Sequence, residues 1–119
     1  MTVNTRRFSR VEVSAQATIE YGEQTISCEI MEISLRGLFI KTDAKIPVNQ
    51  PVHVKASYFQ REFQFPATVI YENDQGLGLK INEIDLPSFI QLRELIASKI
   101  EYPDAVIQET IIMADLITG

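Results

Sequence analysis

From position 11 the chain alternates without a break. Val11, Val13, Ala15, Ala17, Ile19 and Tyr21 are apolar, and Glu12, Ser14, Gln16, Thr18 and Glu20 between them are polar. A run of period two is the pattern of a strand with one face in a core and one in water. Gly22 and Glu23 supply a turn, and Ile26, Cys28 and Ile30 begin a second alternating strand. At Met31 the phase slips, because Met31 and Ile33 are the next apolar positions, and this predicts a β-bulge just ahead of Ser34. Leu38 to Thr42 reads as a third strand. Val52, Val54, Ala56 and Tyr58 mark a fourth, Phe63, Phe65, Ala67, Val69 and Tyr71 a fifth, and Leu77, Leu79 and Ile81 a short sixth. Pro66 inside the fifth predicts an edge position or a bulge. Six one-faced strands with short connections are best buried as a small antiparallel barrel or sandwich.

After Ile81 the period becomes helical. Asp85 is placed to cap a helix that opens on Leu86-Pro87, and Phe89, Leu92, Leu95, Ile96 and Lys99 keep the spacing of one face. Tyr102-Pro103-Asp104 interrupts this pattern, and Ala105 to Thr118 reads as a second helix. Its apolar residues, from Ala105, Val106 and Ile107 to Ile111, Ile112, Met113, Leu116 and Ile117, cover most of the circumference. A terminal helix on a small barrel needs one apolar stripe. The surplus predicts association, with another copy of this chain or with a partner protein. Residues 1–10 show neither period and are expected to form a flexible arm. The expected organisation is therefore an arm over 1–10, a β-domain over 11–84 and a helical extension over 85–119.

Charge sharpens the picture. The formal net charge is −5, yet residues 1–10 hold Arg6, Arg7 and Arg10 with no acid, leaving −8 on the remainder. An acidic chain is poorly suited to DNA or RNA, whose binding rests on phosphate neutralisation, so no nucleic-acid partner is expected. A small basic patch suits a small anion better. Cys28 is the only cysteine, which excludes an intrachain disulfide and is compatible with a reducing compartment. No apolar run approaches the roughly 20 residues of a membrane span, and Met1 to Arg10 has no signal-peptide core. A soluble, cytoplasmic protein without membrane insertion is expected.

Two short motifs carry the candidate chemistry. Arg6 and Arg10 form Arg-x-x-x-Arg, and Glu32-Ile33-Ser34-Leu35-Arg36-Gly37 follows at the junction of the second and third strands. Together they resemble the paired signature of the PilZ domain family, Arg-x-x-x-Arg followed by Asp/Asn-x-Ser-x-x-Gly. Gly76-Leu77-Gly78-Leu79 is similar to the last strand of that family's barrel, and the resemblance spans residues 5 to 84. It implies a mainly β fold: a six-stranded antiparallel PilZ-like β-barrel with one or two C-terminal α-helices. It also implies a non-catalytic receptor for cyclic di-GMP, with no cofactor and no metal, that changes conformation on binding and signals to a partner protein in motility, surface attachment or virulence.

The ligand site implied by the resemblance comprises Arg6, Arg7, Arg10, Glu32, Ser34 and Gly37. Arginine forks can pair with phosphates or with guanine O6 and N7. The Ser34 hydroxyl offers a hydrogen bond, and Gly37 permits close backbone approach. Glu32 stands where the family has Asp or Asn, with oxygens one methylene further out. Arg36 occupies a variable motif position and reads as solvated, as does His53. Cys28 reads as inert core. The alternative is a degenerate PilZ module that binds no nucleotide and serves protein interaction. An enzyme is not expected, because one His, one Cys and scattered acids form no triad, metal cluster or phosphate loop.

Overall fold

The computed structural model describes residues 9–100 and 104–118, with the side chains of 104–107 outside the description. Among these residues six strands close into a barrel: β1 (Val11–Tyr21), β2 (Gln24–Ile33), β3 (Gly37–Lys41), β4 (Pro51–Tyr58), β5 (Arg61–Glu72) and β6 (Gly76–Ile81). They follow one another around the wall in the order β1-β2-β3-β6-β5-β4, all antiparallel, and β1 closes on β4. The alternation predicted for β1 is observed, since Val11, Val13, Ala15, Ala17 and Ile19 all face the interior. Gly22 turns the first hairpin at φ +59°, a left-handed conformation that glycine adopts without steric cost.

Three irregularities break the ladders, and each shifts the register by one residue. On β1 the shift against β2 lies between Glu12 and Ala15. On β2 it lies between Ile30 and Glu32, so Met31 is the extra residue. The bulge expected from the phase slip is therefore present. Its effect differs in detail from the expectation: Ile33 returns to the core, but Met31 points to solvent. On β5 the extra residue is Ile70, between Val69 and Tyr71. No bulge occurs at Pro66, which pairs with His53 and lies one residue outside the β5–β6 ladder. Its missing N–H therefore removes no rung of the β5–β6 ladder, and its carbonyl accepts from the Asn82 amide at 3.0 Å.

Helix α1 (Leu86–Ala97) begins as the sequence predicts. The Asp85 carboxylate accepts from the Ser88 amide at 2.8 Å, with proline in the first turn. Phe89, Leu92, Leu95 and Ile96 are each at most 1% exposed. Burying four such side chains contributes on the order of 1.5–3 kcal/mol each. The helix packs on β5, where the Ser88 hydroxyl accepts from the Gln64 amide at 3.1 Å. Lys99 lies beyond the helix end and places its ammonium 5.3 Å from the Tyr58 ring centre.

The second helix is shorter than its apolar run. Helix α2 covers Asp104–Met113, a 3-10 turn follows over Ala114–Leu116, and Ile117–Thr118 form a short strand, β8. This strand pairs in parallel with β7 (Ile84–Asp85) at the barrel–α1 junction. Ile117 and Thr118 thus satisfy a strand partner rather than extending the helix. Met113 is fully buried in the chain's own core, while Ile111 and Ile112 are 73% and 53% exposed.

Gly37 is explained by the barrel wall. A Cβ there would sit 2.5 Å from the Leu79 carbonyl oxygen on β6, a backbone atom that cannot swing away. Gly37→Ala is therefore expected to lower stability by roughly 1–3 kcal/mol in the absence of any ligand, read as a drop of several degrees in Tm. Cys28 is buried, and desolvation raises its thiol pKa to about 11. Its protonated form is favoured by folding, so that contribution is complete below the ordinary value of 9.0 and is lost as pH rises towards about 11. At pH 8 a thiol-specific reagent is expected to label Cys28 only on the timescale of unfolding.

Candidate functional site

The turn from β2 to β3 is held by one side chain. Ser34 is buried, and its hydroxyl oxygen accepts from the amides of Arg36 and Gly37, both at 3.1 Å. The same hydroxyl donates to the Gly37 carbonyl at 3.2 Å, and the Ser34 amide donates to that carbonyl at 2.8 Å. On the far side the Ile81 amide donates to the Arg36 carbonyl at 2.8 Å, tying the turn to β6. All the hydrogen-bonding capacity of the Ser34 hydroxyl is engaged inside the turn. Its geometric effect is to fix the turn and the side chains that flank it.

Glu32 lies immediately before this turn and faces outward. Its neighbours across the strands are Glu12 on β1 and Phe39 on β3. Two carboxylates directly opposed on a ladder repel, and Arg10 relieves them: its Nη1 lies 3.5 Å from Glu32 Oε1. Both side chains are open to water, 68% and 42% exposed, so the pair is worth at most about 1 kcal/mol. Of the expected site residues, the structure thus brings Arg10, Glu32, Ser34 and Gly37 to one place. Arg6 and Arg7 lie outside the described residues.

These four line an open cleft of about 510 Å³ on the outside of the barrel. Its floor was not anticipated. Phe39 on β3 and Tyr71 on β5 lie nearly parallel, with ring centres 6.1 Å apart and planes at 19°. Between them on β6 sits Gly78, paired with both. A Cβ on Gly78 would overlap the Tyr71 ring, so the missing side chain is what lets the ring lie against the strand. The alternation of β5 had placed Tyr71 inside. The bulge at Ile70 turns it out instead, and both Ile70 and Tyr71 line the cleft. Ile112 of α2 contributes a further apolar wall.

The cleft also draws cations from outside the arm. Arg36 and Lys80 line the cleft beside Arg10. Arg36 is not the solvated residue expected, because it is half-buried and its Nε is sequestered from solvent without a hydrogen-bond partner among the described residues. A buried donor left unpaired is costly, and the residue that carries it lines the cleft. The arrangement combines a flat aromatic ledge, three cationic side chains and one carboxylate. That combination suits a phosphorylated ligand with planar bases: rings stack on rings, guanidinium and ammonium groups meet phosphates, and a carboxylate accepts base N–H groups. Among the described residues no group of His, Cys, Asp and Glu is arranged to hold a metal ion, and no helix is long and apolar enough to cross a membrane.

Comparison with solved structures finds the same barrel elsewhere. The Bacillus subtilis inhibitor of motility, MotI/DgrA, superposes with a TM-score of 0.68 at 14% identity, over 81% of this chain and 51% of that one. This chain therefore spans about half the length of the Bacillus protein. The PilZ domain of CeSA from a cellulose-synthesizing bacterium gives a TM-score of 0.61 at 15% identity, over 75% of this chain and 95% of that domain. At such identities the likeness is one of fold. No curated protein matches the chain. The profile of the PilZ domain family matches residues 4–98, which takes in both signature motifs, the whole barrel and α1. The chain belongs to the PilZ domain family.

Proposed function

We propose that this chain is a non-catalytic receptor for cyclic di-GMP, the ligand its family binds, acting in the cytoplasm. The observation that carries the reading is the convergence of Arg10, Glu32 and the Ser34–Gly37 turn on one cleft with an aromatic floor. In this reading a guanine stacks on the Phe39–Tyr71 ledge. Arg10 and Arg36 meet the phosphates, with Arg6 and Arg7 joining from the arm over residues 1–10. Glu32 accepts from guanine N1 and N2. Ser34 and Gly37 contribute by building the turn that positions these groups.

The Arg10–Glu32 pair does not obstruct this role. An exposed pair worth at most about 1 kcal/mol is readily exchanged for charge-assisted bonds of roughly 1.5–3 kcal/mol each. Ligand would order the arginine arm against the barrel over 11–84, and the extension over 85–119 would carry the change to a partner protein. Exposed Ile111 and Ile112 on α2 are the apolar residues available for that partner or for a second copy of the chain. One observation favours the other reading, a PilZ module that binds no nucleotide: in the free protein Arg10 already has a carboxylate partner.

Calorimetric titration with cyclic di-GMP, with GTP as control, separates the two. Saturable binding at micromolar concentration or below is expected for the cyclic dinucleotide, and silence at ~100 μM would favour the interaction module. Arg10→Ala should weaken binding by at least tenfold while leaving Tm within about a degree, because its pair is exposed. Glu32→Asp shortens the reach to Arg10 and sets the carboxylate where the family has it. Affinity is expected to rise by several-fold, and an unchanged or lower value would remove Glu32 from the guanine contact.

A further inference from the structure

Glu109 on α2 is the one charged residue that is buried among the described residues. Burying a carboxylate is unfavourable unless donors replace its water. Among the described residues the donors come from one residue a hundred positions earlier. The Ser9 amide donates to Oε1 at 3.0 Å, and the Ser9 hydroxyl donates to Oε2 at 2.6 Å. The two bonds grip both a backbone and a side-chain group, so they fix the position and the orientation of the chain at Ser9. Ser9 lies inside the Arg-x-x-x-Arg motif. The next residue is Arg10, whose side chain borders the cleft and reaches Glu32.

The helix that supplies this grip is itself placed by the core and the cleft. Met113, four residues on, is fully buried. Ile112, three residues on, lines the cleft. Beyond them the chain is secured by β8 against β7. With the clamp closed, Arg10 already borders the cleft, so the contact holds the arginine ready rather than away. We infer that Glu109 is a positioning residue for the arginine arm: by clamping Ser9 it directs Arg10 into the cleft and couples α2 to occupancy of the site. Its effect on ligand affinity rests on the receptor reading above, whereas the clamp itself does not. By linkage, a ligand that favours the placed arm must also favour the docked helix.

The test uses the full chain and three variants. Glu109→Ala removes both contacts. Glu109→Gln can keep both, its carbonyl accepting from the Ser9 amide and its amide donating to the Ser9 oxygen. Ser9→Ala removes the hydroxyl contact from the arm side and leaves α2 untouched, which guards against a general loss of fold in the helix variants. The first readout is amide hydrogen exchange at Ser9 and Arg10 without ligand, expected to quicken at least tenfold in Glu109→Ala and to be largely restored in Glu109→Gln. Unchanged exchange in Glu109→Ala would overturn the clamp whether or not the chain binds nucleotide. The second readout is cyclic di-GMP affinity, expected to fall tenfold or more in Glu109→Ala, less in Ser9→Ala and least in Glu109→Gln, with α2 amides more protected when ligand is bound. Faster exchange with unaltered or tighter binding would overturn the positioning role. Absence of binding by the unaltered chain would instead remove the receptor reading and leave the clamp to stand or fall on exchange alone.

Discussion

A closed barrel has a single interior, and every strand must keep its apolar phase in step with it. That constraint governs the site. A strand of strict period two can present outward only the residues between its core positions, and each strand leaves its ladder only where one residue is added. Met31 and Ile70 are such additions. The first lets Glu32 face outward beside a turn whose next core residue is Ile33. The second releases Tyr71 from the interior to lie over Gly78. The cleft is consequently a product of register: bulges on two strands of one closed wall turn a carboxylate and an aromatic ring towards the same patch of surface.

Electrostatics then arranges what register has gathered. Glu12 and Glu32 face each other across β1 and β2, and Arg10 at the head of β1 answers them. The cleft also holds Arg36 and Lys80, so on an acidic chain cations outnumber carboxylates in its described lining. Because the Arg10–Glu32 contact is open to water it adds little to stability, and it can be exchanged without disturbing the barrel. The groups that do not exchange are below the surface, in the Ser34 turn and in the close approach of Gly37 to β6.

Much of this was legible in the sequence because period two is a direct record of one-sided burial. The six strands, the Asp85 cap and the α1 stripe all appear as local patterns, and the phase slip at Met31 announced its bulge. Tyr71 was illegible for a related reason: Ile70 and Tyr71 are both apolar, so alternation through Phe63, Phe65, Ala67 and Val69 passes into the bulge without a visible break. The nearest signal was Gly78, whose missing side chain in a strand marks close approach by another group. The end of α2 was overextended because Ile117 and Thr118 suit a strand as well as a helix, and their partner at Ile84 and Asp85 is far away in sequence. Ser9 and Glu109 are separated by a hundred residues and carry no periodicity, so no local pattern joins them. Arg6 and Arg7, the other half of the arm motif, lie outside the described residues.

The parallel pairing of β7 with β8 has a kinetic meaning. β7–β8 closes a loop about as long as those closed by β1–β4 and β3–β6, but with two residue pairs where each of those ladders has five. The entropy of closing such a loop must be met before its short ladder gives anything back. Two pairs return less than five for a loop of similar length, so β7–β8 is the first of these ladders expected to open.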